Sequence, residues 1–221
     1  MLMQLKNQGR LNETLFLGIL CLISFGMAVF RFMYTDTLAF LFLIWNLFLA
    51  GIPWALSSLM LLKPEIQQNK LAVLLLLVVW LLFFPNAPYI LTDLFHLCYK
   101  SGAPLWFDLV LILSFAWTGL LFGFLSLWDI EQILKRRVRS TWLPAISVGL
   151  LFLGSFGIYV GRYLGWNSWD ILREPLDLVY DIGSRLANPF RHPRAWGMTL
   201  FMGVFLNMVY GSFRLIRSRG R

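Results

Sequence analysis

The chain has 221 residues, 59% of them hydrophobic and only 14% charged, with a net charge of +8. Soluble domains run at roughly half apolar and about a quarter charged, so this composition excludes an ordinary soluble domain and makes the bilayer the natural solvent. The basic residues fall in short stretches between apolar spans, where the positive-inside rule accounts for them, so nucleic acid is not read as a partner.

Six segments meet or approach the roughly 20 apolar residues that a span needs. They are 14–33, 38–62, 71–97, 106–128, 142–160 and 195–213. Backbone groups in hydrocarbon must be satisfied within each segment, so the spans are helical. The expected fold is all-α, a polytopic membrane helix bundle of six transmembrane helices, forming a single integral membrane domain over 1–221.

In chain order, Lys6 and Arg10 precede the first apolar run as in a signal peptide. No small-x-small cleavage site follows, so the first span is expected to be retained. Asp36 with Thr37 is placed as the N-cap of the second span. Pro53, in "WNLFLAGIPW", is expected to kink that span. Cys21 and Cys98 show no metal or redox spacing.

The third span changes character at "FFPNAPYILTDLFHL", Phe83 to Leu97. Pro85 and Pro88 lack backbone donors, and Pro88 disfavours helix at Ala87. A proline-broken third helix is therefore expected. By helical rise Asn86 lies about 22 Å above the start of its span and Asn46 about 12 Å down from the start of the second, so the two amides are expected at matching depth. Beyond the break come Tyr89, Thr92, Asp93 and His96, and Asp108 opens the fourth span. Gly119 and Gly123 form a GxxxG there, and Gly149, Gly154 and Gly157 dot the fifth span. Small residues of this kind suit a compact bundle and a homo-oligomer equally.

The loop of 161–195 is long. It opens with "GRYLGWNSWD", which holds Arg162, Asn167, Ser168, Trp169 and Asp170. Leu172, Leu176, Val179, Gly183 and Leu186 then form a helical stripe. Pro175 suits a first turn, Asp181 pairs with Arg185 at i+4, and Asn188-Pro189 ends the segment. An amphipathic helix on the outer interface, or packed against the bundle as a lid, is expected.

Six spans put both termini on one side. With the N-terminus inside, the inner face holds twelve lysines and arginines and the outer face seven. "KRRVR" at Lys135–Arg139 and the arginine-rich tail give the bias its weight, so both termini are expected in the cytoplasm. Asp93, His96, Asp108, Arg162 and Asn167–Asp170 then fall toward the extracytoplasmic rim. Non-helical backbone at membrane depth is tolerated only where protein or a watery cavity covers it, so the break reads as a pocket wall.

At "FFPNAPYILTDLFHL", "WNLFLAGIPW" and "GRYLGWNSWD" together, the chain resembles a family of bacterial multi-pass membrane proteins catalogued as a domain of unknown function, number thirteen sixty-one. The likeness runs from the second span to the sixth, with PNAPY-x-x-TD-x-x-HL at Pro85–Leu97 its most specific part and NSWD at Asn167–Asp170 in support. It implies a multi-pass protein of the bacterial cytoplasmic (inner) membrane. It implies no activity for any residue.

The residue types themselves suggest several chemistries. Asp93 and His96 share a helix face, which suits general acid–base catalysis, or a metal site with Asp108 or Asp170 as third ligand. The plain alternative is an interfacial aspartate that caps or pairs, beside a solvated histidine. Arg162 suits an anionic headgroup, or simply snorkels. Asn46 and Asn86 serve as helix–helix contacts as readily as ligand contacts. Trp169 fits an interfacial aromatic belt as well as a binding surface. The residues name no cofactor.

The preferred reading is a membrane protein with an extracytoplasmic polar pocket that binds a small-molecule or lipid-headgroup ligand at Asn46, Asn86, Tyr89, Thr92, Asp108, Arg162 and Asn167–Asp170. A membrane-embedded enzyme acting on a lipid or lipid-linked substrate at the outer leaflet through Asp93 and His96, with Arg162, is the first alternative. A structural or assembly protein without a ligand is the second. Transport would require an aqueous path to the inner face, and the inner half is expected to be nearly uniformly apolar.

Overall fold

The computed structural model describes residues 10–97 and 102–219. Lys6, Cys98, Lys100 and Arg221 lie outside them. Every regular element among the described residues is helical. Among the described residues, six helices are long and apolar enough to cross a membrane: Leu11–Thr35, Phe42–Leu62, Lys70–His96, Leu105–Leu134, Ser140–Leu164 and Pro193–Ser218. The all-α, six-span reading therefore holds, with the first, fourth, fifth and sixth helices longer than the sequence suggested and the second shorter. The chain forms two compact units, Met1–Ile133 and Leu134–Arg221.

In the first unit, α1 spans Leu11–Thr35. Asp36 does not cap the second span. It closes α1 in the left-handed region, with φ 50°, and its N–H reaches the Phe32 carbonyl. Aspartate is among the few residues that tolerate this conformation. Helix α2 (Phe42–Leu62) starts beyond it and carries Pro53 buried inside. A short α3 (Pro64–Gln68) leads to α4 (Lys70–Phe83), whose N-cap Asn69 accepts from the N–H groups of Leu71 and Ala72. Then come α5 (Asn86–Tyr89) and a 3-10 turn, Ile90–His96.

Helix α6 (Leu105–Leu134) runs through the interior. Every residue from Phe122 to Glu131 is buried. A helix apolar on all sides has no other stable place. Its GxxxG faces the segment after α4. A Cβ on Gly119 would lie 2.7 Å from the Ala87 carbonyl oxygen, and one on Gly123 would lie 2.9 Å from the Ala87 Cβ. The small residues thus serve packing inside this unit.

In the second unit, α7 (Leu143–Leu164) packs along α10 (Pro193–Arg219). Gly203 makes the approach feasible, since any Cβ there would meet the Phe152 ring. Between them lie α8 (Asp170–Arg173) and α9 (Pro175–Ala187). Pro175 opens α9 and Asn188 closes it, as the sequence suggested.

The docked face of α9 is not the expected stripe. Leu178 and Ile182 join Tyr159, Val160, Leu164, Trp166 and Ala195 in a core, while Leu172, Leu176, Val179 and Leu186 are exposed. The polar contacts explain the choice. The Trp166 indole donates to Asp181 at 2.8 Å, the Trp196 indole donates to the Arg185 carbonyl at 3.1 Å, and Arg185 pairs with Asp181 at 2.6 Å. These residues lie on the Leu178–Ile182 side. The stripe is left outward as an exposed apolar face.

This packing has two testable consequences. Gly119→Ala should lower stability by about 1–3 kcal/mol, because the obstructing atom is backbone. Gly18→Ala, which meets nothing within 4 Å, should not. Thermal unfolding of the two variants in detergent checks the contrast. In the second unit, the Trp166 indole, followed by the Arg185 guanidinium, holds the Asp181 carboxyl below its ordinary range against the opposing effect of burial. A depressed carboxylate pKa stabilises docking at pH above the free value, and that contribution is lost as pH falls through the folded value. A nitroxide on exposed Val179 should therefore gain mobility on acidification below about pH 4. In Asp181→Asn the step should vanish.

Candidate functional site

The polar residues of the third span are organised by missing donors. The Phe84 carbonyl would ordinarily take the N–H of residue 88, which is proline. The Ala87 N–H turns to it instead, at 3.2 Å. That leaves the Phe83 carbonyl without its usual donor, and the Asn86 side-chain amide supplies one at 2.9 Å. Tyr89 N–H reaches the Pro85 carbonyl, and the Thr92 hydroxyl donates to the Tyr89 carbonyl at 2.6 Å. Phe84, Pro85 and Ile90 keep right-handed helical dihedrals. The prolines thus change the hydrogen-bond ladder and tighten it into a 3-10 turn, without unravelling the chain.

That turn carries Asp93 to the interior. Its carboxylate is fully buried and accepts from the Asn46 amide of α2 at 2.9 Å. Asn46 was expected at the depth of Asn86, where the two amides could meet. Its amide instead meets the aspartate, the stronger acceptor. Residues three apart eclipse on a 3-10 helix, so His96 follows Asp93 on one face. His96 is exposed, with its ring edge-on to Phe42 at 5.3 Å. Tyr89 is half-buried and Thr92 buried beside them in sequence.

Asp108 has a different role. It lies in the first turn of α6, fully buried, and takes a two-point contact from Arg31, Nε to Oδ1 at 2.6 Å and Nη2 to Oδ2 at 3.4 Å. Arg31 Nη1 donates to the Thr37 hydroxyl at 2.9 Å and the Ala39 carbonyl at 3.3 Å, and its guanidinium lies 4.7 Å from the Phe40 ring centre. By sequence alone Arg31, near the end of the first expected span, counts only among the outer-face cations.

A second ion pair closes the other end of the same helices. Arg10 Nη2 donates to Asp129 Oδ2 at 2.7 Å, with the Ser57 hydroxyl 2.9 Å from the same oxygen and Ser58 also bound by Arg10. This end is therefore not uniformly apolar. A signal was present in the sequence. Arg10 and Arg31 are 21 residues apart, and so are Asp108 and Asp129. Equal spacing on an antiparallel pair of helices lets both bridges form at once.

The remaining candidates lie in the second unit. Arg162 is half-buried in the last turn of α7. Asp170 accepts from the backbone N–H of Asn167 at 2.7 Å and from its amide at 3.1 Å, which makes a self-satisfied turn. Ser168 and Trp169 are half-buried within it. Among the described residues no group of three or more His, Cys, Asp or Glu side chains gathers to hold a metal ion.

A family model described as a protein of unknown function, DUF1361, matches residues 45–209. No curated protein and no solved structure matches the chain.

Removing one partner of a buried pair leaves an uncompensated charge, which costs about 3–5 kcal/mol, whereas replacing both with apolar residues is often neutral. Arg31→Met alone should sharply reduce folded yield, and Arg31→Met with Asp108→Leu should restore it. Fluorescence-detected size exclusion reads both.

Proposed function

The chain belongs to the DUF1361 family, and from that premise we propose that it binds a small-molecule or lipid-headgroup ligand at the Asn46–Asp93 end of its first unit. The observation that carries this reading is Asp93, a carboxylate with no exposed surface in an apolar span, held by an amide one turn from an exposed imidazole. An ionisable residue at membrane depth is costly and marks a functional site by default. Asn46, Thr92, Asp93 and His96 form the core of the proposed site. Asp108 supports it from its ion pair, and Asn86 supports it by completing the backbone ladder.

In the same proposal the protein is a single integral domain of a bacterial inner membrane, both termini are cytoplasmic, and this end of the unit is extracytoplasmic. The cationic bias of the loops supports that orientation. Each side has one arginine in a buried pair, so the bias is unaffected by the pairing. If the ligand is turned over, Asp93 and His96 are the acid–base pair, since the 3-10 turn sets them on one face.

A purely structural role is the second reading, favoured by the closure of the Arg31–Asp108 pair. Native mass spectrometry separates the two. In the binding reading the purified protein carries a bound mass, and His96→Ala and Asp93→Asn lose it at unchanged folded yield. If the wild type carries none and Asp93→Asn costs yield, the polar cluster only fixes the fold. Cysteine at His96 in a Cys98→Ser background should react with a membrane-impermeant thiol reagent from outside, and reaction only from inside would reverse the orientation.

A further inference from the structure

The first unit also contains an apolar groove of about 730 Å³ between α1 and α2, with Phe115 and Phe122 of α6 at its base. This lies within the usual size of a small-molecule site, ~300–1,000 Å³. Two glycines leave the space. A Cβ on Gly18 meets nothing within 4 Å, and one on Gly51 meets only the Phe122 ring edge at 3.9 Å. The mouth opens sideways, where Leu22 and Phe48 are 71% and 61% exposed. From Ile44 to Ala55 the wall is about 16 Å long by helical rise. The groove lies between the two ion pairs, at the depth of lipid tails. A void there forfeits dispersion contacts on every wall, so hydrocarbon fills it.

One end of the groove is chemically distinct. Trp54 lines it, and the Arg10 guanidinium lies 5.9 Å from the Trp54 ring centre. Arg10 is 5% exposed, and Nη2 is engaged with Ser58 and Asp129. Among the described residues, Arg10 Nε and Nη1 and Trp54 Nε1 are buried without an acceptor. Buried donors of this kind are normally satisfied. These three unmatched groups are all donors, so the partner they lack is an acceptor. Asp129 already neutralises Arg10, and Glu13 stands in the first turn of α1, so no net positive charge awaits an anion. A neutral carbonyl fits better than a phosphate. The Arg10–Asp129 pair closes one end of a stretch as long as the hydrocarbon core is thick, which is the depth of lipid ester groups.

We propose that this groove holds one tail of a diacyl membrane lipid whose ester carbonyl accepts hydrogen bonds from Arg10 and Trp54. The site is separate from the Asn46–Asp93 end and stands or falls without it. The tail gains packing, and the carbonyl gives an acceptor to one unmatched Arg10 N–H and to the Trp54 indole, so the lipid is retained where a free tail would exchange.

The test reconstitutes the full chain in vesicles of phosphatidylcholine containing a diacyl analogue with a photoreactive diazirine in its tail. Adducts are mapped by mass spectrometry. Labelling on 18–25 and 44–55 should exceed that on the exposed Leu71, Leu74, Leu75 and Val78 of α4 by at least about fivefold, roughly 1 kcal/mol of preference. Gly18→Leu with Gly51→Leu, which fills open space, should bring the two to parity without lowering the unfolding temperature. The ether-linked analogue, which lacks the carbonyl, should also label near parity. Parity in the wild type, labelling that survives the leucine pair, or ether labelling equal to ester labelling would each overturn the proposal. A Cys21–Cys21 cross-link together with parity would assign the groove to a second copy of the chain instead.

Discussion

Two ion pairs set the register of the first unit. Arg10–Asp129 and Arg31–Asp108 join α1 to α6 at both ends, and the 21-residue spacing on each partner corresponds to about 32 Å of helix. The hydrocarbon core is roughly 30 Å thick. Lipid tails are as apolar as leucine, so helices in a bilayer are not driven together by the hydrophobic effect. Packing and polar contacts must choose the neighbour. A slip of one turn on either helix would break both bridges together and leave four charges in a low-dielectric medium.

The same constraint governs α4 and the proline-containing segment after it. Two prolines remove donors where no water replaces them, so the chain must satisfy its carbonyls locally. It does so with an Ala87 N–H bonded three residues back, the amide of Asn86 and a 3-10 turn. Gly119 and Gly123 let α6 close over this segment, with the Ala87 carbonyl nearly against the helix. The turn then delivers Asp93 to Asn46. Local backbone accounting and the polar candidate site are thus one arrangement.

The second unit solves a different problem. Helix α9 is apolar on two sides, and both cannot be buried at once. The side that docks is the one with Asp181 and Arg185 beside it, where two indoles supply and anchor hydrogen bonds. The outward side keeps Leu172, Leu176 and Val179 exposed, as expected of a helix at a membrane interface. Hydrophobic spacing alone ranks the two sides equally, and polar satisfaction separates them.

The sequence by itself determined the solvent, the helices and the polar exceptions. Long apolar runs leave no other structure in lipid, and the positions of Pro85, Pro88, Asp93 and His96 mark where the pattern departs from them. Helix ends were less legible, because Asp36 suits an N-cap and a left-handed C-cap alike, and only the neighbouring turn chooses. The partners were decided by tertiary structure. Arg31 reads as an outer-face cation until Asp108 is beside it, Asn46 as glue for another amide until Asp93 arrives, and Gly119 as a bundle or an oligomer contact until Ala87 fills it. Each of these residues has several acceptable partners in one dimension, and only the packing of α1, α2, α6 and the proline-containing segment brings one into contact.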